Sequence, residues 1–320
     1  MNNRWTWTRT LSMALLLVAG ASDASVFPAR PLKLIVPYSS GGAAEVAVRA
    51  VAESMAESLG QPVLVDNRPG ADGAIAVKAA LAAEPDGHTL VVVAASMAAL
   101  PIAVKPAPFG LADLAPVSTL GDVSFGLFVS SQLPVQSSKE LLAYARAQVA
   151  PLTYASISLA MDALTSTLAR SGGVTMTRVP YKGGGQAMTD LIGGHIQVFF
   201  GPIGNGLAAA QEGRARLLAV HPRRTSLATG VPTLAETGVE LAPTPVFMLV
   251  AAPARTPAPI VERVAQSVAQ ALRQQEVRSR MESLGITPES STPERAAELL
   301  RQAQEAYAPV VRQLESAGGR

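Results

Sequence analysis

A strand-like apolar run, Leu32-Lys33-Leu34-Ile35-Val36, passes directly into Pro37-Tyr38-Ser39-Ser40-Gly41-Gly42 and then into a helical pattern. A short apolar run, a tight turn and a helix start, repeated along a chain, lay strands in a sheet and cover it with helices. The two glycines let the backbone approach a ligand closely, and the first turn of the next helix leaves amide N–H groups without internal partners. With the positive end of the helix dipole, those donors suit a small carboxylate and need no charged side chain. Spacing alone favours the plainer explanation, that glycine makes tight turns.

The remaining chain shifts that balance. After the turn, Val48, Val51, Met55 and Leu59 form a core stripe. Glu45, Arg49, Glu53 and Glu57, four apart, are assigned to a solvated face. Gly60 ends this helix, and Val63-Leu64-Val65 follows as a short buried strand. Asp66 to Gly73 is a turn-rich loop, leading to an Ala-rich helix through Ala83 and a strand at Leu90 to Ala94. Pro101 to Pro116 reads as an irregular connection and Val123 to Val129 as a strand. Ser137-Ser138-Lys139-Glu140 has capping-box spacing before a helix. Alternation then resumes: strand Leu152 to Ala155, helix Ala160 to Ala169, strand Val174 to Val179. The turn Pro180-Tyr181-Lys182-Gly183-Gly184-Gly185 leads to a helix from Gln186 to Ile192. Strands at Ile196 to Phe200 and Arg216 to Val220 bracket a helix at Leu207 to Gln211. Thr233 to Glu236 is a second capping box, and Val246 to Ala251 an apolar strand. Thr256-Pro257 opens a helix by capping residue and proline, and two more helices follow, Glu276 to Leu284 and Thr292 to about Leu314.

This pattern predicts an α/β protein of two lobes, each a mostly parallel sheet flanked by helices. Each lobe supplies a Gly-rich turn at a strand's carboxyl end, where open α/β sheets bind ligands. If the lobes face one another, Tyr38 to Gly42 and Tyr181 to Gly185 line one cleft, and that convergence points to binding.

Only 16% of the residues are charged and the formal net charge is +2, without a block of like charge, which argues against a nucleic-acid groove. Arg4 and Arg9 precede the apolar run Leu11 to Ala19, and small residues follow through Ala24. That is the layout of a secretory signal peptide over residues 1–24, with cleavage expected after Ala24 and Ala21 as second choice. The absence of cysteine removes disulfides, thiolate nucleophiles and a cysteine-linked lipid anchor. A soluble, monomeric periplasmic protein is the expectation.

The candidate ligand groups each have a plainer alternative. Tyr38 and Tyr181 wall the pocket or pack at lobe edges. Lys182 meets an anion or is simply solvated. Ser96, Ser156 and Ser158 donate to the ligand or cap helices. Asp162 has no obvious cationic partner and is expected to be exposed or capping. His88, His195 and His221 lack metal-ligand spacing, and His88, in a turn, is expected at the surface. Gly183-Gly184-Gly185 is not followed by the Lys-Ser/Thr of a phosphate loop, and Ser39-Ser40-Gly41 is not a nucleophile elbow. With no nucleophile–base–orienter set, neither an enzyme nor a cofactor is expected.

Several ordered motifs carry a family resemblance. Phe27-Pro28-Ala29-Arg30-Pro31-Leu32 through Tyr38, then Gly41-Gly42, resembles the opening of the mature Bug receptors, the periplasmic solute-binding proteins of tripartite tricarboxylate transporters. The likeness continues through Val65 to Gly70, Pro85 to Leu90, Val179 to Gly184, Val231 to Glu236 and Ser291 to Glu294, and so covers essentially the whole mature chain. It implies a two-lobed Venus-flytrap fold whose C-terminus returns to the first lobe. The lobes are then residues 25–124 with 248–320, and residues 125–247. It also implies a small organic acid held between the lobes by backbone amides, hydroxyls and water, and a membrane permease or a sensor as partner. Ser39 and Ser40 stand where the family usually has prolines, Ala44 and Glu45 replace a hydroxyl residue and an Asp, and Gly201 and Phe247 replace Asp and Trp. The loop Tyr154 to Asp162 lacks the usual glycines. The binding set implied is Tyr38, Ser39, Ser40, Gly41, Gly42, Ser96, Ser156, Ser158, Tyr181, Lys182, Gly183, Gly184 and Gly201. The departures leave open a less polar ligand, or a module that has lost the usual ligand and only engages its membrane partner.

Overall fold

The computed structural model describes residues 27–239 and 244–316, so the leader expected over residues 1–24 lies outside the described part. The chain opens with β1 (Leu32–Val36), α1 (Ala43–Leu59), β2 (Val63–Asn67), α2 (Ala74–Leu81) and β3 (Thr89–Ala94). The short α3 (Leu100–Ala103) leads to β4 (Leu114–Val123). One residue, Ser124, separates β4 from β5 (Phe125–Ser130), where a second sheet begins. That region continues through α4 (Ser138–Ala147), β6 (Leu152–Ser156), α5 (Leu159–Ser171), β7 (Met176–Pro180) and α6 (Gly184–Gly193). It closes with β8 (Val198–Pro202), α7 (Leu207–Gln211) and β9 (Ala215–His221). β10 (Phe247–Pro253), α8 (Ala258–Ala271), α9 (Gln275–Ser283), β11 (Ile286–Pro288) and α10 (Pro293–Ser316) complete the chain on the first sheet.

The sheets have strand orders β11-β4-β10-β3-β1-β2 and β7-β6-β8-β5-β9. The two-lobed α/β architecture is as expected, but both sheets are mixed rather than mostly parallel. β1 pairs in parallel with β2 and β3, whereas β10 runs antiparallel to β3 and β4. In the second sheet β6 runs parallel to β7 and β8, and β5 antiparallel to β8 and β9. The reason is connectivity. A helix crossover makes successive strands parallel, but β5 and β10 enter their sheets from the other sheet without one.

Alternation along the central strands sets both faces. Leu34, Val36, Leu90 and Val92 pack with Val48, Val51 and Met55 of α1 and Val264 and Val268 of α8. Ile35, Val91 and Val93 point oppositely, onto α2 and the Ala296, Leu300 and Tyr307 stripe of α10. β2 is an edge strand that leaves Leu64 56% exposed, so the short run around it is only half buried.

Local signals place most boundaries. Gly60 takes φ 70 and closes α1, and the Ser137 hydroxyl accepts from the Glu140 amide at 3.2 Å to open α4. The Thr233–Glu236 box forms in both directions but caps only a three-residue 3₁₀ turn, Ala235–Thr237. Thr256 does not cap α8: its hydroxyl is buried without a partner and Pro257 takes the capping position. β4 meets the expected irregular connection (Pro101 to Pro116) and the expected strand (Val123 to Val129) only at its ends, and the sequence pattern leaves most of it unassigned. Its alternation is broken by two register shifts against β10 and by Gly121 at φ 143, where a Cβ would run into the Thr287 carbonyl of β11.

Candidate functional site

The first Gly-rich turn is pinned from behind. The Asn67 side chain donates to the Tyr38 carbonyl at 2.9 Å, and the Arg68 amide donates to the Val36 carbonyl at 2.8 Å. Gly41 takes φ 86, a conformation that only glycine adopts cheaply. Two of the donors expected to receive an anion are occupied. The Gly41 amide donates to Glu45 Oε2 at 3.1 Å, and the Ala43 amide donates to Asn205 Oδ1 at 2.9 Å. Glu45 is buried and paired with Arg49, not on a solvated face. Its carboxylate supplies the negative charge favoured at a helix N-terminus. The anion turn read from the sequence is therefore partly filled by the chain itself, while the Ala44 and Glu45 amides at the start of α1 have no backbone acceptor among the described residues.

The second turn is held by the Tyr181 amide, which donates to the Ser156 carbonyl at 2.8 Å. The Tyr181 hydroxyl donates to Asp190 Oδ2 at 2.6 Å, and burial followed by that bond raises the phenol pKa to about 12. Tyr38, raised to about 12 by burial alone, has no such partner among the described residues. α6 begins at Gly184 rather than Gln186, so two glycines of the turn are already helical. Gly183 is buried against the first turn and Gly184 against Asn205. A Cβ at Gly183 would run into Ser39 Oγ, and one at Gly184 into the Asn205 side-chain amide. Ser39 Oγ also lies 3.5 Å from the Lys182 carbonyl. The two turns thus meet face to face, clasped by Asn205.

Two chambers open beside this contact and share Tyr38, Ala94, Ser96, Ile157 and Ser158. The inner one, of about 60 Å³, also includes Ser39, Gly42, Gly183, Gly184, Glu45, Asn205 and Tyr307. The outer one, of about 450 Å³, adds Ser156, Tyr181, Lys182, Asp72 and Arg178. Ser40 and Gly41 line neither. Gly201 also lines neither: it is buried in β8, with the Phe199 ring where its side chain would be.

Arg178, on the edge strand β7, is the cation that sequence reading missed. Its Nε donates to Ser156 Oγ at 3.1 Å and to Asp162 Oδ2 at 2.9 Å. Among the described residues neither Nη group has an acceptor. Asp162 is buried at the start of α5, contrary to the expectation of an exposed residue, and also accepts from the Tyr154 hydroxyl at 3.3 Å. Burial raises its pKa, opposed by the Ser156 hydrogen bond and the Arg178 charge. A charged residue inside an expected strand and an acid 16 positions earlier were the only available signal. At the rim, Ala71 and Asp72 take φ 47 and 52, left-handed values that are uncommon away from glycine and cluster at functional sites. His88, expected at the surface, is buried edge-on against Phe27. Among the described residues no group of three His, Asp or Glu could hold a metal.

Residues 47–315 match the model for the tripartite tricarboxylate transporter family receptor. The chain belongs to this family. BugT of Bordetella pertussis is 32% identical over 318 residues, covering 96% of this chain and 97% of BugT. A UPF0065 protein of Cupriavidus necator is 32% identical over 286 residues, 87% of this chain and 86% of its own. Among solved structures, the periplasmic binding protein BugD superposes with a TM-score of 0.85 at 26% identity, covering 92% of this chain and 99% of BugD. MatC of Rhodopseudomonas palustris, solved with bound malate, gives 0.83 at 28% identity, over 89% of this chain and all (100%) of MatC. A further R. palustris protein, solved with adipate, gives 0.84 at 28%, over 91% of this chain and 98% of its own. The family is one of periplasmic solute-binding receptors, not of enzymes. No helix among the described residues is long and apolar enough to cross a membrane.

Proposed function

We propose that this receptor captures a small carboxylate-bearing compound between its two lobes in the periplasm and delivers it to a tripartite tricarboxylate-type membrane permease. The lobes in this reading are residues 25–124 with 248–320, and residues 125–247. The observation that carries it is the Arg178 fork, held by its Nε against Ser156 and Asp162 at the wall of a 450 Å³ chamber, with its Nη groups left for a ligand. A guanidinium offers a carboxylate two parallel N–H···O bonds. Ser96, Ser156, Ser158 and Lys182 surround the same space. Malate and adipate in similar structures support an organic acid as the ligand class. Because the chamber draws residues from both sheets, an occupant favours the closed arrangement over an open one.

Native mass spectrometry of freshly purified protein, followed by a thermal-shift screen of organic acids, tests this. A trapped acid, or an acid that raises the melting temperature by mass action, is expected. The reading fails if no acid shifts the transition and none is trapped.

A further inference from the structure

We propose that the groove between α1 and α9, on the outside of the first lobe, docks a Lys- or Arg-bearing periplasmic loop of the membrane permease. This rests on the reading above that the receptor delivers its cargo to a permease.

Two helical stripes form the groove. Val46, Ala50, Glu53, Ser54 and Glu57 repeat at three- and four-residue spacing and so share one face of α1. Glu276, Arg280 and Ser283 do the same on α9. At one end Gln274 Nε2 donates to Glu57 Oε2 at 3.4 Å, and Val46 and Ser283 lie toward the other. From Val46 to Glu57 the helix rises about 16 Å. The space enclosed is about 760 Å³. A trough of that length takes about five residues of extended chain.

Charge and an unbonded hydroxyl define what fits. Glu53, Glu57 and Glu276 are exposed along the rim. Arg49 is matched from the inside by Glu45, which leaves Arg280 as the cation of the groove without an ion pair among the described residues. Carboxylates on helices are ordinarily just solvated, and the groove differs in its floor. Ser54 is 5% exposed, and its hydroxyl is buried without a partner. A serine inside a helix usually bonds back to a carbonyl of the preceding turn. Ser58, four residues on, does so with the Met55 carbonyl at 3.1 Å. A basic side chain laid in the groove would donate to Ser54 Oγ and meet the surrounding carboxylates.

The far end of the groove touches the second lobe. A Cβ at Gly204 would run into the Leu284 carbonyl and the Ala43 side chain, and the Ala43 amide donates to Asn205. The turn Ile203–Asn205 therefore sits against the ends of both walls. Glu45 lines the inner chamber, while its partner Arg49 lines the groove. Closing the lobes thus sets the position of both walls, and an occupant here can tell a closed receptor from an open one. A permease that accepts cargo has to make that distinction. A second copy of this chain does not.

The test is photocrosslinking of the full-length receptor in its native cells. p-Benzoylphenylalanine replaces Ser279 or Ser283 in the groove, or Lys139 on α4 of the second lobe as a reference. An adduct with an integral permease subunit, identified by mass spectrometry, is expected from the groove positions and not from the reference. Glu53→Lys combined with Glu276→Lys should reduce that adduct at least about tenfold, because like charges then face one another. Ser54→Ala should reduce it about fivefold while leaving the melting temperature unchanged or higher, since it removes an unsatisfied hydroxyl. Melting curves establish that the variants are folded, and Ser54→Ala alone decides if the double variant is not. A permease adduct from Lys139 alone, a groove adduct with a second copy of the receptor, or a permease adduct that neither variant reduces overturns the inference and leaves the receptor reading standing. If none of the three positions yields a permease adduct, delivery to a permease fails and takes this inference with it.

Discussion

Two turns of similar composition do different jobs. Tyr38 to Gly42 and Tyr181 to Gly185 both place an aromatic residue and glycines between a strand and a helix. The first is closed on itself: Glu45 folds back onto Gly41, and Asn205 reaches across to Ala43. The second keeps its glycines bare, because the first turn and Asn205 pack directly on them, and it lies beside Arg178 and Lys182 on the outer chamber. A helix N-terminus is an opportunity for negative charge, and Glu45 of the same chain lies at this one and takes the Gly41 amide. In the proposed reading, Arg178 on the edge strand that precedes the second turn adds a cation to the anion-binding side of the site.

The largest test of this asymmetry is Arg178→Ala. If the second lobe carries the charge recognition, acid affinity should fall by about 3 kcal/mol, roughly a hundredfold, with Arg178→Lys recovering only part. Calorimetric titration measures it, and equal affinity in the alanine variant would return the anion site to the first turn. Next is the clasp. Gly184→Ala should cost about 1–3 kcal/mol, because its methyl group meets the Asn205 side chain. Asn205→Ala alone should cost about 1 kcal/mol through the lost Ala43 bond. The double variant should cost less than the sum of the two, and urea midpoints show whether this coupling exists. Smaller still is Gly183→Ala, about 0.5–1 kcal/mol, since the flexible Ser39 hydroxyl can swing aside. Gly185→Ala, with open space around it, should be neutral or slightly stabilising.

The smallest effect separates the two tyrosines. Burial lifts both phenols from 10.0 to about 12, and Asp190 adds to the rise only for Tyr181. The unfolded phenols lose their protons near pH 10 while the native ones keep them, so stability should fall as pH rises from about 10 toward 12. In an alkaline absorbance titration, Asp190→Asn should lower one phenol midpoint, that of Tyr181, and leave that of Tyr38 in place. Movement of both would mean that the two turns share one hydrogen-bond network.

Legibility followed the range of the interactions. The α1 stripe, the Gly60 stop, the Ser137 cap and the Gly-rich turns at strand ends were all readable, because each depends on residues within a few positions of one another. The candidate residues Tyr38, Ser39, Gly42, Ser96, Ser156, Ser158, Tyr181, Lys182, Gly183 and Gly184 do line the two chambers. Gly201 was misplaced because a strand glycine gives no sign of whether a ligand or a ring fills its missing side chain. Glu45 looked solvated because four-residue spacing with Arg49 is the signature of an exposed pair, and nothing nearby in sequence says that the helix end is buried. The antiparallel β5 and β10 were hidden because strand composition carries no direction.

Residue order alone was sufficient for the two-sheet architecture and for the positions of both turns, since hydrophobic period and glycine placement act locally. Which donors stay open was set by folding. The acceptor for the Ala43 amide comes from 162 residues away, and the partner of Asp162 from a different strand. A hydrogen bond is satisfied by whichever group is nearest in space, and only the packed chain brings those groups within reach.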